Sequence, residues 1–273
     1  MGSDFVKNIF KIREKYDFSI ENQDILVYNI NIQRKKVRDV FQRSGELEDL
    51  MRQPQELQRT EEYLAEKLGM FLRQKEPFLI CFSNERPDSI GSLLERAARR
   101  VGAIPLLCSE DYRWKTLLKM AFDSRATAVA GPPLVVLGLT KLARITRTPL
   151  NFRHVLTAGY PCMDWMIYGI RRGLDCQTWG CFGPGVGAMV GGFSCAKSLG
   201  VHFRDDTFLV DIVDDEGKSL SPGTRGNVVL RDRRSPDVSL WTGDIARLDT
   251  TPCACGCASP RLMDLDVGDD ADL

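Results

Sequence analysis

Between residues 77 and 179, short apolar runs alternate with amphipathic stretches of about ten residues, and this alternation limits the fold more than any other feature of the chain. Phe78 to Phe82, Ala103 to Cys108, Ala126 to Ala130, Phe152 to Thr157 and Asp175 to Trp179 read as strands. Ile90 to Val101, Arg113 to Phe122, Leu134 to Ile145 and Met163 to Gly173 read as helices. Successive strands joined by helical crossovers lie parallel, and the crossovers are right-handed. The expected class is therefore α/β, with a mostly parallel sheet flanked by helices. Ligands of such sheets bind off the carboxyl ends of the strands, which singles out the loops 83–89, 131–133, 158–162 and 180–194.

After residue 192 the rhythm changes. Thr207 to Val213 and Asn227 to Leu230 read as strands, separated by turns at Asp214 to Lys218 and Ser221 to Gly226. Around them lie Cys195, His202, Cys253, Cys255 and Cys257. Thiolate sulfur and imidazole nitrogen are the ligands tetrahedral zinc prefers, and a structural site takes four. Cysteine is often only a small buried apolar residue. Three of them in a turn flanked by Pro252 and Pro260 and containing Gly256 make little sense as packing, however. A structural zinc on Cys195, His202, Cys253 and Cys255 is expected, with Cys257 as the reserve ligand. The chain thus divides into a helical N-terminal segment (1–76), an α/β core (77–192) and a small zinc-stapled β subdomain (193–273).

The 37 basic and 37 acidic residues cancel, so no global field attracts nucleic acid or a membrane surface. No apolar run reaches the length of about 20 residues needed to cross a bilayer, and the N-terminus lacks the form of a signal peptide. A soluble, cytoplasmic protein is expected. Nine cysteines scattered through 273 residues favour metal binding and free thiols over disulfides. Residues 4 to 75 are mostly helical in pattern, with apolar stripes at Phe5, Ile9, Phe10 and Ile12, then at Leu47, Leu50, Met51, Leu57, Tyr63, Leu64, Leu68 and Phe71. Asp24 to Ile32 reads instead as a strand or extended arm, and the basic run Arg34, Lys35, Lys36 and Arg38 as a solvated helix face. The stripes make the N-terminal helices a candidate docking face for a protein partner or a homodimer.

Three loops carry candidate chemistry. Thr157-Ala158-Gly159-Tyr160-Pro161 leaves a strand through a small-Gly-aromatic turn that lets a flat ring approach the backbone. Gly180 to Gly187, followed by Gly191 and Gly192, is glycine-rich but has no lysine and no Walker spacing, so it is as much a turning loop as a phosphate cradle. Trp241-Thr242-Gly243-Asp244 is a turn whose carboxylate could accept from ribose hydroxyls or merely form the turn. Cys162 and Cys181 are conceivable nucleophiles, but His154, within a strand, is not placed to activate either.

Taken in order, Asp211 to Gly217, Pro222 to Gly226, Trp241 to Leu248, Pro252 to Gly256 and Pro260-Arg261 resemble the phenylacetate-CoA ligase branch of the adenylate-forming superfamily, over residues 77 to 270. The resemblance implies an enzyme that activates an acid with ATP to an acyl-adenylate and passes it to coenzyme A. It implies the zinc ligands already named, and AMP or ATP as ligand. It also implies an adenine site lined by Ala158, Gly159 and Tyr160, with Trp179 and Gly180 at the family's Tyr-Gly pair and Asp244 on the ribose.

The departures bear on activity. No phosphate loop with lysine is found in residues 1 to 77, where Arg43-Ser44-Gly45-Glu46 stands in an acidic helical setting. The family's hydroxyl residue and magnesium-binding glutamate after Tyr-Gly are replaced by Cys181, Phe182 and Gly183, and the chain reads Gly268-Asp269-Asp270 where the family has Gly-Arg and a lid with its lysine. Phosphoryl-type chemistry rests on such charges, and one lost donor costs about 3 to 4 kcal/mol. The expectation is a degenerate relative without magnesium, binding a nucleotide-like or small acyl ligand or a partner protein. An active ligase, one completed by another chain, and a docking module are the alternatives.

Overall fold

The computed structural model describes residues 44–108, 113–159, 162, 164–183, 190–197 and 200–267. The expectations for Phe5 to Ile12, Asp24 to Ile32, the basic run 34–38 and the acidic end at 268–270 lie outside them. Strand and helix alternate as the pattern predicts: β1 (Pro77–Ile80), β2 (Ile104–Leu107), β3 (Ala128–Gly131), β4 (His154–Thr157) and β5 (Gln177–Phe182). The crossovers are α3 (Ile90–Val101), α4 (Trp114–Asp123), α5 (Pro133–Thr146) and α6 (Asp164–Leu174), preceded by α1 (Ser44–Met51) and α2 (Pro54–Leu68). The five strands pair in parallel in the order β2-β1-β3-β4-β5.

The expected mostly parallel sheet is corrected to a mixed one. Six further strands, β6 (Gly192–Ser194), β7 (Val201–Phe203), β8 (Phe208–Val213), β9 (Arg225–Asp232), β10 (Ser239–Asp249) and β11 (Arg261–Val267), continue the same sheet as β6-β7-β11-β10-β9-β8, with every neighbour antiparallel. The cause lies in β5. Its residues Gln177 to Gly180 pair parallel with β4, while Cys181 and Phe182 pair antiparallel with Phe193 and Gly192 of β6. The glycine-rich stretch therefore begins as strand, not loop. Beyond it the connections are too short for crossover helices, so the chain turns back on itself. The expected boundary at 192/193 falls inside β6, and the β-rich segment shares its sheet with the α/β core.

Three apolar cores result. One face of the parallel half packs Phe78, Ile80, Leu156, Trp179 and Phe193 under α2 and α3. The other packs Leu79, Val129 and Val155 under α4, α5 and α6. The antiparallel half curls so that Phe182 of β5 shares a third core with Leu230, Leu240 and Leu262, closed by Leu47 and Met51 of α1. On α2 every fourth residue is buried, namely Glu56, Thr60, Leu64 and Leu68. Leu64 and Leu68 enter the first core. Glu56 accepts from Arg234 at 2.6 Å, and Thr60 accepts from the buried Arg204 at 2.9 Å. The apolar stripe of α1 and α2 is thus covered by the chain's own body. Among the described residues no helix is long and apolar enough to cross a membrane.

Candidate metal centre and nucleotide wall

The curl of the antiparallel half brings two distant connections together. In the β6–β7 hairpin Phe193 lies opposite His202, and on the other side of β7 His202 lies opposite Arg261 at the start of β11. Gly192 is required in that hairpin, because a Cβ there would meet the His202 carbonyl at 2.6 Å. Cys195 leaves β6 directly and reaches toward the β10–β11 connection, which carries Cys253 and Cys255.

There the four predicted ligands meet. The Cys195 and Cys253 sulfurs stand 3.8 Å apart, the Cys255 sulfur lies 3.4 Å from His202 Nε2, and all four donor atoms fall within 4.8 Å of one another. With zinc–sulfur bonds of about 2.3 Å and zinc–nitrogen bonds of about 2.0 Å, a tetrahedron has edges of about 3.8 Å between sulfurs and about 3.5 Å from sulfur to nitrogen. The Cys195–Cys253 and Cys255–His202 edges match these values. The sulfurs are too far apart for a disulfide, whose length is about 2.05 Å, and all four side chains are at least half-buried. His202 Nδ1 sits 2.9 Å from the Ser259 carbonyl, which can only accept. Nδ1 therefore carries the proton, and the Nε2 lone pair faces the sulfurs. The Cys255 backbone N–H lowers the Cys253 thiol to about 6, whereas burial pushes Cys255 up to about 11. A bound cation would draw the remaining protons from its thiol ligands. Cys257 contributes its backbone N–H, 3.4 Å from the Cys255 sulfur. Gly256, at φ +88°, forms the tight turn that aims it. The cluster can hold a metal ion.

The residues assigned to the nucleotide are placed differently. Ala158 and Trp179 are each only 3% exposed and belong to the first core. The Trp179 ring stacks on Phe71 at 4.8 Å and 22°, its Nε1–H donates to His154 Nδ1 at 3.4 Å, and Phe193 lies 6.4 Å away at a tilt. Burial lowers the His154 pKa, so the ring is a neutral acceptor. Gly159 takes the left-handed turn at φ +80°, while Tyr160 lies outside the described residues, as does 184–189. The Gly180 N–H donates to Ser194 Oγ at 2.7 Å. Asp244 is half-buried in the bulge of β10 between Trp241 and Ile245, four places along the sheet from β5. Its backbone N–H donates to Thr242 Oγ1 at 3.1 Å.

Burial pushes Cys181 up to about 12, and Cys162 packs against the second core. His154 is engaged by Trp179. Sequence reasoning missed Phe71 as the stacking partner of Trp179, and Ser259 and Arg261 beside the metal cluster. Phe71 was visible only as one more apolar position in a stripe, and no local pattern marks Ser259 or Arg261.

The fold is shared with part of several solved CoA ligases and an amide bond synthetase. A 2-hydroxyisobutyryl-CoA ligase, captured in the postadenylation state with its acyl-AMP, matches 78% of this chain at a TM-score of 0.68 and 16% identity, over 48% of its own length. The amide bond synthetase McbA from Marinactinospora thermotolerans matches 75% at 0.55 and 19% identity, over 44% of its length. The anthranilate CoA ligase AuaEII, bound to anthranoyl-AMP, matches 74% at 0.51 and 15% identity, over 42%. This chain thus spans about half the length of the solved ligases it matches, and at these identities the likeness defines the fold. No protein-family model and no curated protein matches the sequence.

Proposed function

We propose that this chain is a zinc-stapled, degenerate relative of the phenylacetate-CoA ligase branch, which binds a protein partner and does not form acyl-adenylates by itself. The observation that carries this reading is the burial of Trp179. A nucleotide wall needs an aromatic surface open to the base. Here Phe71 stacks on the indole and His154 and Phe193 close in around it. The two positions after Gly180 reinforce the point. Cys181 is a half-buried thiol whose pKa is pushed up, packed against the first core, and Phe182 points into the third, so neither offers a carboxylate for magnesium nor a hydroxyl for a phosphate. Building charge on an α-phosphate without such groups is prohibitive. Of the nucleotide-like ligand, small acyl ligand and partner protein that the sequence leaves open, a covered wall disfavours the nucleotide, and the reading takes the protein.

In the same reading, zinc is held by Cys195, His202, Cys253 and Cys255. Four protein ligands leave no open position, so the ion supplies a cross-link between the β6–β7 and β10–β11 connections rather than Lewis acidity. Thiolate ligation suits a reducing, cytoplasmic compartment. The test is ATP–pyrophosphate exchange by the zinc-loaded chain with a panel of aliphatic and aromatic carboxylic acids. No exchange above the heat-denatured control is expected, and acid-dependent exchange would refute the reading.

A second reading is a ligase half completed by another chain, favoured by Asp244, whose carboxylate stands in a β-bulge, a feature common beside active sites. It requires AMP to bind, and binding to depend on Asp244.

A further inference from the structure

Three strands carry one row of residues past the metal cluster. His202 of β7 lies opposite Arg261 of β11, and Arg261 lies opposite Asp249 of β10. Arg261 is 5% exposed, and its fork turns toward the β10 side. Its Nη2 donates to Asp249 Oδ2 at 2.7 Å, to Thr251 Oγ1 at 3.1 Å and to the Thr251 carbonyl at 3.3 Å. Asp249 Oδ1 in turn accepts from the Thr251 N–H at 2.9 Å and from its hydroxyl at 2.7 Å. Only Pro252 separates Thr251 from Cys253. Two residues before Arg261, the Ser259 carbonyl holds His202 Nδ1, while the Ser259 hydroxyl donates to Asp205 Oδ2 at 2.9 Å.

The start of β11 therefore grips both halves of the cluster. Through Ser259 it fixes which nitrogen of His202 faces the sulfurs. Through Arg261 it fixes the backbone from which the Cys253-Ala254-Cys255 turn hangs. A tetrahedral site tolerates little misplacement of its ligands, and partners beyond the ligands commonly set tenfold to hundredfold of the affinity. We propose that Arg261 is a positioning residue of the metal centre, which holds the Cys-x-Cys turn in register with His202 by clamping Asp249 and Thr251. The inference rests on the zinc reading above and adds to it a residue that touches no metal.

The experiment is a zinc competition titration of the full chain against a chromophoric chelator, run beside cobalt(II) absorption spectra, which report tetrahedral geometry. Arg261→Ala is expected to weaken zinc binding about tenfold or more and to lower the visible cobalt bands. Arg261→Lys, which keeps the charge but not the planar guanidinium that aims Nη2 at Asp249 and Thr251 together, is expected to stay within about threefold of Arg261→Ala. Thr251→Ala, at an exposed position, is expected to weaken binding about threefold, and it carries the test should Arg261→Ala not fold. Wild-type affinity and an unchanged cobalt spectrum in these variants would overturn the inference. So would a drop in melting temperature that is equal for metal-free and metal-loaded protein with affinity unchanged, which is what a merely structural arginine gives. If the unaltered chain binds no zinc at all, both this inference and the zinc reading fall; if it binds zinc and Arg261→Ala binds as well, only the inference does.

Discussion

The metal cluster and the nucleotide wall sit on the same sheet, yet their side chains point in opposite chemical directions. At Cys195, His202, Cys253 and Cys255 the donor atoms converge on one another at tetrahedral spacing. At Ala158 and Trp179 the side chains converge on Phe71, Phe193 and the rest of an apolar core. The difference separates two uses of one scaffold. Convergent donors cost free energy unless something satisfies them, so such a cluster points to a ligand. Convergent apolar groups satisfy themselves, and an aromatic ring that was a wall in one protein is a strut in another.

The comparison breaks most visibly at the metal end. If zinc at a thousand times its dissociation constant contributes about 4 kcal/mol, stripping it with a chelator should lower the melting temperature by roughly 8 to 16 °C, with Cys255→Ser doing the same. Calorimetry in which chelator and variant leave the transition unmoved would show that the cluster holds nothing. At the other end, Trp179→Ala should destabilise the fold by about 3 to 5 kcal/mol, the cost of emptying a large aromatic site in a core. A loss under about 1 kcal/mol in chemical denaturation would instead mark the indole as an exposed wall.

A smaller effect tests the seam where α2 meets the antiparallel half. Burial pushes the Asp232 carboxyl up, but the Arg234 guanidinium and the Arg234 and Ser235 N–H groups outweigh it and hold the carboxyl below its usual range. A depressed folded-state value contributes stability that is fully present above the ordinary carboxylate range, near 4, and is lost as pH falls through the lower folded value. Asp232→Ala should therefore cost about 2 to 3 kcal/mol at neutral pH and flatten the acid limb of the stability curve. An acid limb as steep as that of the unaltered chain would place the titration elsewhere. Smallest of all, Arg204→Met should change stability by less than about 1 kcal/mol. The guanidinium's bond to Thr60 and its stacking at 4.9 Å over Tyr63 are offset by burying a cation whose Nε makes no hydrogen bond and meets the Asp206 carboxylate only at 4.0 Å.

How much of this the sequence carried depends on the range of the signal. The strand–helix alternation from Pro77 to Trp179 is local periodicity, and the elements fall within a few residues of where it puts them. The Cys195, His202, Cys253 and Cys255 cluster was legible as a candidate because Cys and His are rare, soft donors whose identity alone restricts their use. The mixed sheet was not, since a strand that pairs parallel at Trp179 and antiparallel at Cys181 reads the same as one that does neither. Nor was the fate of Trp179. Its position in a Tyr-Gly-like pair says what could stand beside it, while the ring that does, Phe71, lies more than a hundred residues earlier and is fixed only by packing.

The most direct measurement is a calorimetric titration of AMP into the chain after its zinc content has been determined. The expected result is close to one zinc per chain and no AMP binding into the millimolar range, the metal end being a site and the wall a core. Micromolar AMP binding that Asp244→Ala abolishes would contradict it.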